Sequence, residues 1–144
     1  MNLDLPTSSG AWSAQEFARA DFNDARLSAR LVSFASNLSR APQASLAQVN
    51  GSWSATKAGY DFLANAKVTP ETIAQPHVHS TIERLREHRR VLVACDISAL
   101  DYSDRLVGQQ LGYTYRGNKR GVMFISALAI STDGEPLGLL AQEQ

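Results

Sequence analysis

The apolar residues change period near residue 90, and this limits the fold more than any other feature of the sequence. Before that point they recur at helical spacing; after it they come in short runs of strand length. The clearest helical stripe is Leu27, Leu31, Phe34 and Leu38, in a segment that Asn23 or Asp24 can cap and Pro42 ends. Ser13 followed by Glu16 reads as a capping box opening a short helix over 13–20. A helical turn over 45–49 and an Asn50-Gly51 turn lead to a helix over 52–65, capped by Ser52. On that helix Ala55, Gly59 and Phe62 form the packing face, and Trp53, Lys57 and Tyr60 lie opposite. Thr69 caps a last helix with Pro70 in its first position. Pro76 is expected to kink it or delay its start, and Val78, Ile82 and Leu85 carry its stripe to about His88.

Three apolar runs follow: VLVAC over 91–95, GVMFISALAI over 121–130 and LGLLAQ over 137–142, with an Asp133-Gly134 turn between the last two. The first run is continuous, the pattern of a strand buried on both faces. Strands of that kind need a covering layer on each side, and the helix ending near His88 supplies only part of it. The sequence therefore looks like an α/β domain cut in its middle.

Composition excludes several classes. With 44% hydrophobic and 19% charged residues, the 144-residue chain buries a core and does not read as disordered. Lys plus Arg and Asp plus Glu number 14 each, so any nucleic-acid binding must come from local placement of charge. One such place is 105–132, where Arg105, Arg116, Lys119 and Arg120 stand without an acid. The single cysteine, Cys95, rules out a disulfide framework and a cysteine-based zinc site, and reads as a buried strand side chain. No apolar run is long enough to span a membrane, and 1–10 has no secretory-signal pattern. The expected compartment is a reducing cytoplasm.

Few residues stand out as chemistry. Asp96 directly follows the first apolar run, so it is expected at the C-terminal end of a strand, where α/β folds hold their reactive groups. A carboxylate there suits Mg²⁺, although many such residues only form turns. Asp101 and Asp104 read as solvated loop acids. Arg26, Arg30, Asn37 and Arg40 share the polar face of the second helix and suit phosphates and base edges, or simply water. Trp53, Lys57 and Tyr60 set aromatics beside a cation, for DNA or for packing between helices. Ser45, Gln48, Asn50 and Ser52 could bond phosphate oxygens. His77, His79 and His88 lack metal-ligand spacing. Lys119 and Arg120 precede the second strand and could meet a phosphate or stay solvated.

Four ordered strings then carry a resemblance. FNDARLSARLV (22–32), GSWSATKAGYDFLANAKVTPETI (51–73), VLVACDISALDYS (91–103) and GNKRGVMFISALAISTDGEPLGLLAQ (117–142) resemble successive blocks of bacterial cut-and-paste transposases of the insertion-sequence-four group, the transposon-five type. The match covers about 11–143. It implies a mixed fold: a flexible N-terminus (1–10), an all-α DNA-binding domain (11–70), then the first three strands of an incomplete ribonuclease-H-like α/β catalytic domain (71–144). In that family two Asp and one Glu hold two divalent metals that activate water, and later a 3′-hydroxyl, against phosphodiester bonds. Asp96 matches the first Asp of this DDE triad, as catalytic residue and Mg²⁺ ligand, and it alone carries over. Ile97 stands where a threonine is common in relatives.

The resemblance also implies double-stranded DNA of transposon ends as partner, through Arg26, Arg30, Asn37, Arg40, Lys57 and Tyr60, with Lys119 and Arg120 near the cleavage site. The chain alone is expected to be inactive, to bind Mg²⁺ weakly or not at all, and to be monomeric. Full-length transposase is a further partner if the chain is a truncated DNA-binding inhibitor. A decayed remnant and a helical protein-interaction module using Trp53 and Tyr60 are the other readings.

Overall fold

The computed structural model describes residues 9–115 and 117–144. The expected flexible N-terminus falls outside them, apart from Ser9 and Gly10, which open the first helix. The chain forms two compact units, and the boundary between them lies between Ser80 and Thr81. Sequence reading places that boundary ten residues earlier, where a new helix begins; this helix is continuous across the unit boundary.

The N-terminal unit is helical: α1 (Ser9–Glu16), α2 (Ala25–Arg40), α3 (Leu46–Asn50), α4 (Trp53–Leu63) and the first part of α5 (Pro70–Leu85). Asp24 caps α2, its carboxylate accepting from the Arg26 N–H at 3.0 Å. Ser45 and Gln48 form a reciprocal capping box on α3, and Ser52 caps α4. Gly51 ends α3 with φ of 66°, a left-handed position that glycine occupies without strain.

The core is Phe22, Leu31 and Phe62, with Phe17, Leu27, Val68 and Ile73 half-buried against it. Phe62 meets Phe22 edge-on at 5.9 Å and Phe34 tilted at 6.1 Å between ring centroids. Gly59 lets α4 approach α2 closely, since a Cβ there would stand 3.4 Å from the Phe34 ring. The helical stripe and the Gly59–Phe62 packing face thus fold as their spacing requires.

Two local expectations fail. Ser13 and Glu16 make no capping box: α1 starts at Ser9, and both side chains are buried in the unit. The Glu16 carboxylate instead meets His77 Nδ1 of α5 at 2.5 Å, and its carbonyl accepts from Ser80 Oγ at 3.0 Å. Pro76 does not delay α5, which runs from Pro70.

The C-terminal unit is an antiparallel sheet in chain order, β1 (Val91–Asp101), β2 (Gly121–Ser131) and β3 (Pro136–Glu143). β1 exceeds its apolar run because the ladder continues from Asp96 opposite Ser126 to Asp101 opposite Gly121. Contrary to expectation, β1 is not buried on both faces: Leu92 is 57% and Ile97 54% exposed, and Cys95 is also exposed. A continuous apolar run specifies a strand but cannot supply the layer that covers it. The last turn of α5 packs on β3, where Thr81 is buried and Arg84 Nε donates to the Leu137 carbonyl at 2.6 Å.

Between β1 and β2 the chain makes a 3-10 helix, Leu106–Gln110, tied back by Arg120. The Arg120 guanidinium donates to the carbonyls of Gln109 and Leu111, both at 3.1 Å, and lies over the Tyr113 ring. Asp101 accepts from the Ser103 N–H at 2.9 Å and pairs with Lys119 at 3.0 Å. Bonds from Ser103, then Lys119, hold its carboxyl at about 2, below the ordinary 3.8.

Two outcomes follow. Phe62→Ala removes the ring shared by both aromatic contacts and should destabilise the N-terminal unit by about 3–5 kcal/mol in denaturant titration. Asp101 titrates lower folded than unfolded, so its contribution is complete above its unfolded value and is lost as pH falls through about 2. The melting-temperature gap between wild type and Asp101→Asn should therefore narrow as pH drops from about 4 toward 2. A gap that stays constant contradicts this.

Candidate nucleic-acid interface

Helix geometry decides which polar side chains α2 and α4 present. With Leu31 and Phe62 turned inward, Arg26 and Arg30 of α2 face the same shallow groove as Asp61 and Asn65 of α4. The Arg26 side chain is 93% exposed and pairs with Asp24 at 3.3 Å. That bond raises the arginine's pKa and lowers the carboxylate's, so both stay charged across the physiological range. Arg30 is exposed and makes no ion pair among the described residues. Asn37 is half-buried farther along α2, and Arg40 is exposed in its last turn, where a cation suits the helix dipole.

The other face of α4 is open. Trp53, the first residue of the helix, is 82% exposed, and Tyr60 is 56% exposed. Lys57 lies between them and donates to Asp61 at 2.7 Å, one helical turn on. An exposed surface pair of this kind is weak and exchanges readily for a phosphate oxygen. Two aromatic faces and a mobile cation thus share one helix side without a protein neighbour that would explain them as packing.

The turn residues are less available than expected. Ser45 and Gln48 bond each other, Asn50 Nδ2 donates to the Leu46 carbonyl at 2.9 Å, and Ser52 accepts from the Ala55 N–H. These groups organise the α3–α4 turn. Their pairing was legible as capping signals, which compete with the phosphate-binding reading.

The remaining candidates lie in the C-terminal unit. Asp96 is in the middle of β1, not at the end of a strand, because the ladder runs five residues past it. It is exposed, opposite Ser126, and its carboxylate accepts from Ser98 Oγ at 3.1 Å. Gln142 of β3 reaches Ser126 Oγ at 3.1 Å, which completes a polar row across the sheet. This row offers a metal one carboxylate and neutral oxygens. Two divalent ions need several carboxylates, so the described residues do not make a two-metal site. Lys119 is held by Asp101, and Arg120 is occupied by loop carbonyls. Arg116 lies outside the described residues.

Sequence reading missed the Glu16–His77 pair, since residues so far apart in the chain carry no local signal of contact. It also took Asp101 for a solvated acid; a basic residue 18 positions later gave no hint of pairing until the hairpin register was known.

No helix among the described residues is long and apolar enough to cross a membrane. Residues 9–68 match the family described as transposase DNA-binding. That span takes in α1 to α4 and the core around Phe62, so the chain carries a transposase DNA-binding domain at its N-terminal end, with DNA as its partner.

Proposed function

We propose that the outward faces of α2 and α4 bind the duplex ends of a transposon of the insertion-sequence-four type. The observation that carries this reading is that the span matching transposase DNA-binding domains folds with Arg26, Arg30, Trp53, Lys57 and Tyr60 all facing outward. Arg26, Arg30 and Arg40 neutralise phosphates, and Lys57 does so after leaving Asp61. Asn37 offers the donor and acceptor pair that reads adenine in the major groove. Trp53 and Tyr60 lay apolar rings against sugars and bases beside these cations.

A salt titration of affinity for duplex DNA tests the reading. Arg26→Ala combined with Arg30→Ala should weaken binding and flatten the slope of log K on log salt by up to about two contacts' worth, at ~0.9 each. A slope left unchanged by the double substitution would exclude these arginines from the interface.

For the C-terminal unit we infer the opening of a ribonuclease-H-like catalytic domain. Support comes from the resemblance of 91–103 and 117–142 to that domain's first three strands and from their antiparallel pairing in chain order. Asp96 is then one Mg²⁺ ligand of a DDE triad whose other carboxylates are not among these 144 residues. Lys119 and Arg120 stand near the DNA that such a domain would cut. The 144-residue chain should bind DNA and leave it uncut in Mg²⁺. Nicking that disappears in Asp96→Ala would overturn this.

A further inference from the structure

The two outer edges of the sheet are built differently. β3 carries Pro136, two register shifts and Gly138 at φ of 136°, and Arg84 occupies the Leu137 carbonyl. Each of these discourages another strand from pairing there. β1 has none of them: it pairs with β2 over 11 residues without a shift, and it contains no Pro, Gly or Lys.

The direction of its free hydrogen bonds follows from its inner edge. Tyr102 N–H donates to the Arg120 carbonyl at 2.8 Å, one step beyond the Asp101–Gly121 pair in the same register. Bonded pairs alternate along an antiparallel ladder. Even-numbered residues of β1 therefore point their backbone groups at β2, and Val91, Val93, Cys95, Ile97 and Ala99 point theirs outward. That is a long, flat edge flanked by exposed apolar side chains, the form most open to strand addition.

We propose that the β1 edge pairs antiparallel with β1 of a second copy of this chain, about a two-fold axis at Cys95. A two-fold axis perpendicular to the sheet keeps both faces in place, so each residue must pair with one of its own parity. Centred on Cys95, the register sets Val93 against Ile97, Val91 against Ala99, and Asp96 against Ala94. It also brings Asp101 of one copy opposite Arg89 of the other. The neighbouring registers are worse. Centring on Asp96 sets that carboxylate against itself, and centring on Ala94 brings Asp101 toward Glu87. Because β3 is blocked, addition stops at two copies and gives a closed dimer in place of an open-ended stack. This replaces the monomer expected from the resemblance, and it does not depend on the DNA-binding reading.

Light scattering on the 144-residue chain, free of DNA and at tens of micromolar, should give twice the chain mass. Outward-bonding pairs set their Cα atoms about 5.5 Å apart, so a short bismaleimide should join the two copies through Cys95. Ile97→Pro removes an outward N–H that β2 does not use, and should return the chain to monomer. Arg89→Glu, which lies outside the strand, should raise the dimer dissociation constant about tenfold at low salt. A monomer at these concentrations overturns the proposal, as do open-ended aggregates. So does a dimer that resists cross-linking at Cys95 and survives both substitutions.

Discussion

The contact of the Phe62 ring with Phe22 and Phe34 decides what the N-terminal unit shows to its surroundings. A helix has one rotational setting for a given buried residue. Once Phe62 and Gly59 turn toward α2, Trp53, Lys57 and Tyr60 must turn away from it. Once Leu31 turns inward, Arg26 and Arg30 are carried to the outer groove. The proposed DNA surface is therefore a consequence of core packing. The helix caps at Asp24, Ser45 and Ser52 fix where each of these faces begins.

Much of this was legible in the sequence because it is local. The 3.6-residue stripe of α2, the Ser52 cap and the opposed faces of α4 are set by residues within a few positions of one another. What was not legible depends on partners far apart in the chain. Ser13 and Glu16 satisfy a capping pattern, yet burial beside His77 wins over it. The apolar run over 91–95 is indeed strand, but its length comes from β2, and so the position of Asp96 within the strand was misjudged. Nothing in the run itself could tell whether a layer covers it, and Leu92 and Ile97 turn out to be half exposed.

The charges also carry a lesson in placement. The chain is neutral overall, and Arg26, Lys57 and Lys119 each stand beside an acid. Such exposed pairs hold side chains in place at little cost in free energy and yield to a stronger anion. A phosphate carrying its own counterions is such an anion, and releasing those counterions drives the exchange. In the C-terminal unit, by contrast, Arg120 is committed to two carbonyls and a ring, which makes it a structural tie for its loop before it is anything else.

The central claim is that the outer faces of α2 and α4 meet DNA. Backbone amide NMR spectra recorded while a short duplex is titrated in would test it most directly. The account predicts shifts concentrated at Arg26, Arg30, Trp53, Lys57 and Tyr60, with Leu31 and Phe62 in the core moving little. Spectra unchanged by DNA, or shifts confined to the strands of the C-terminal sheet, would contradict it.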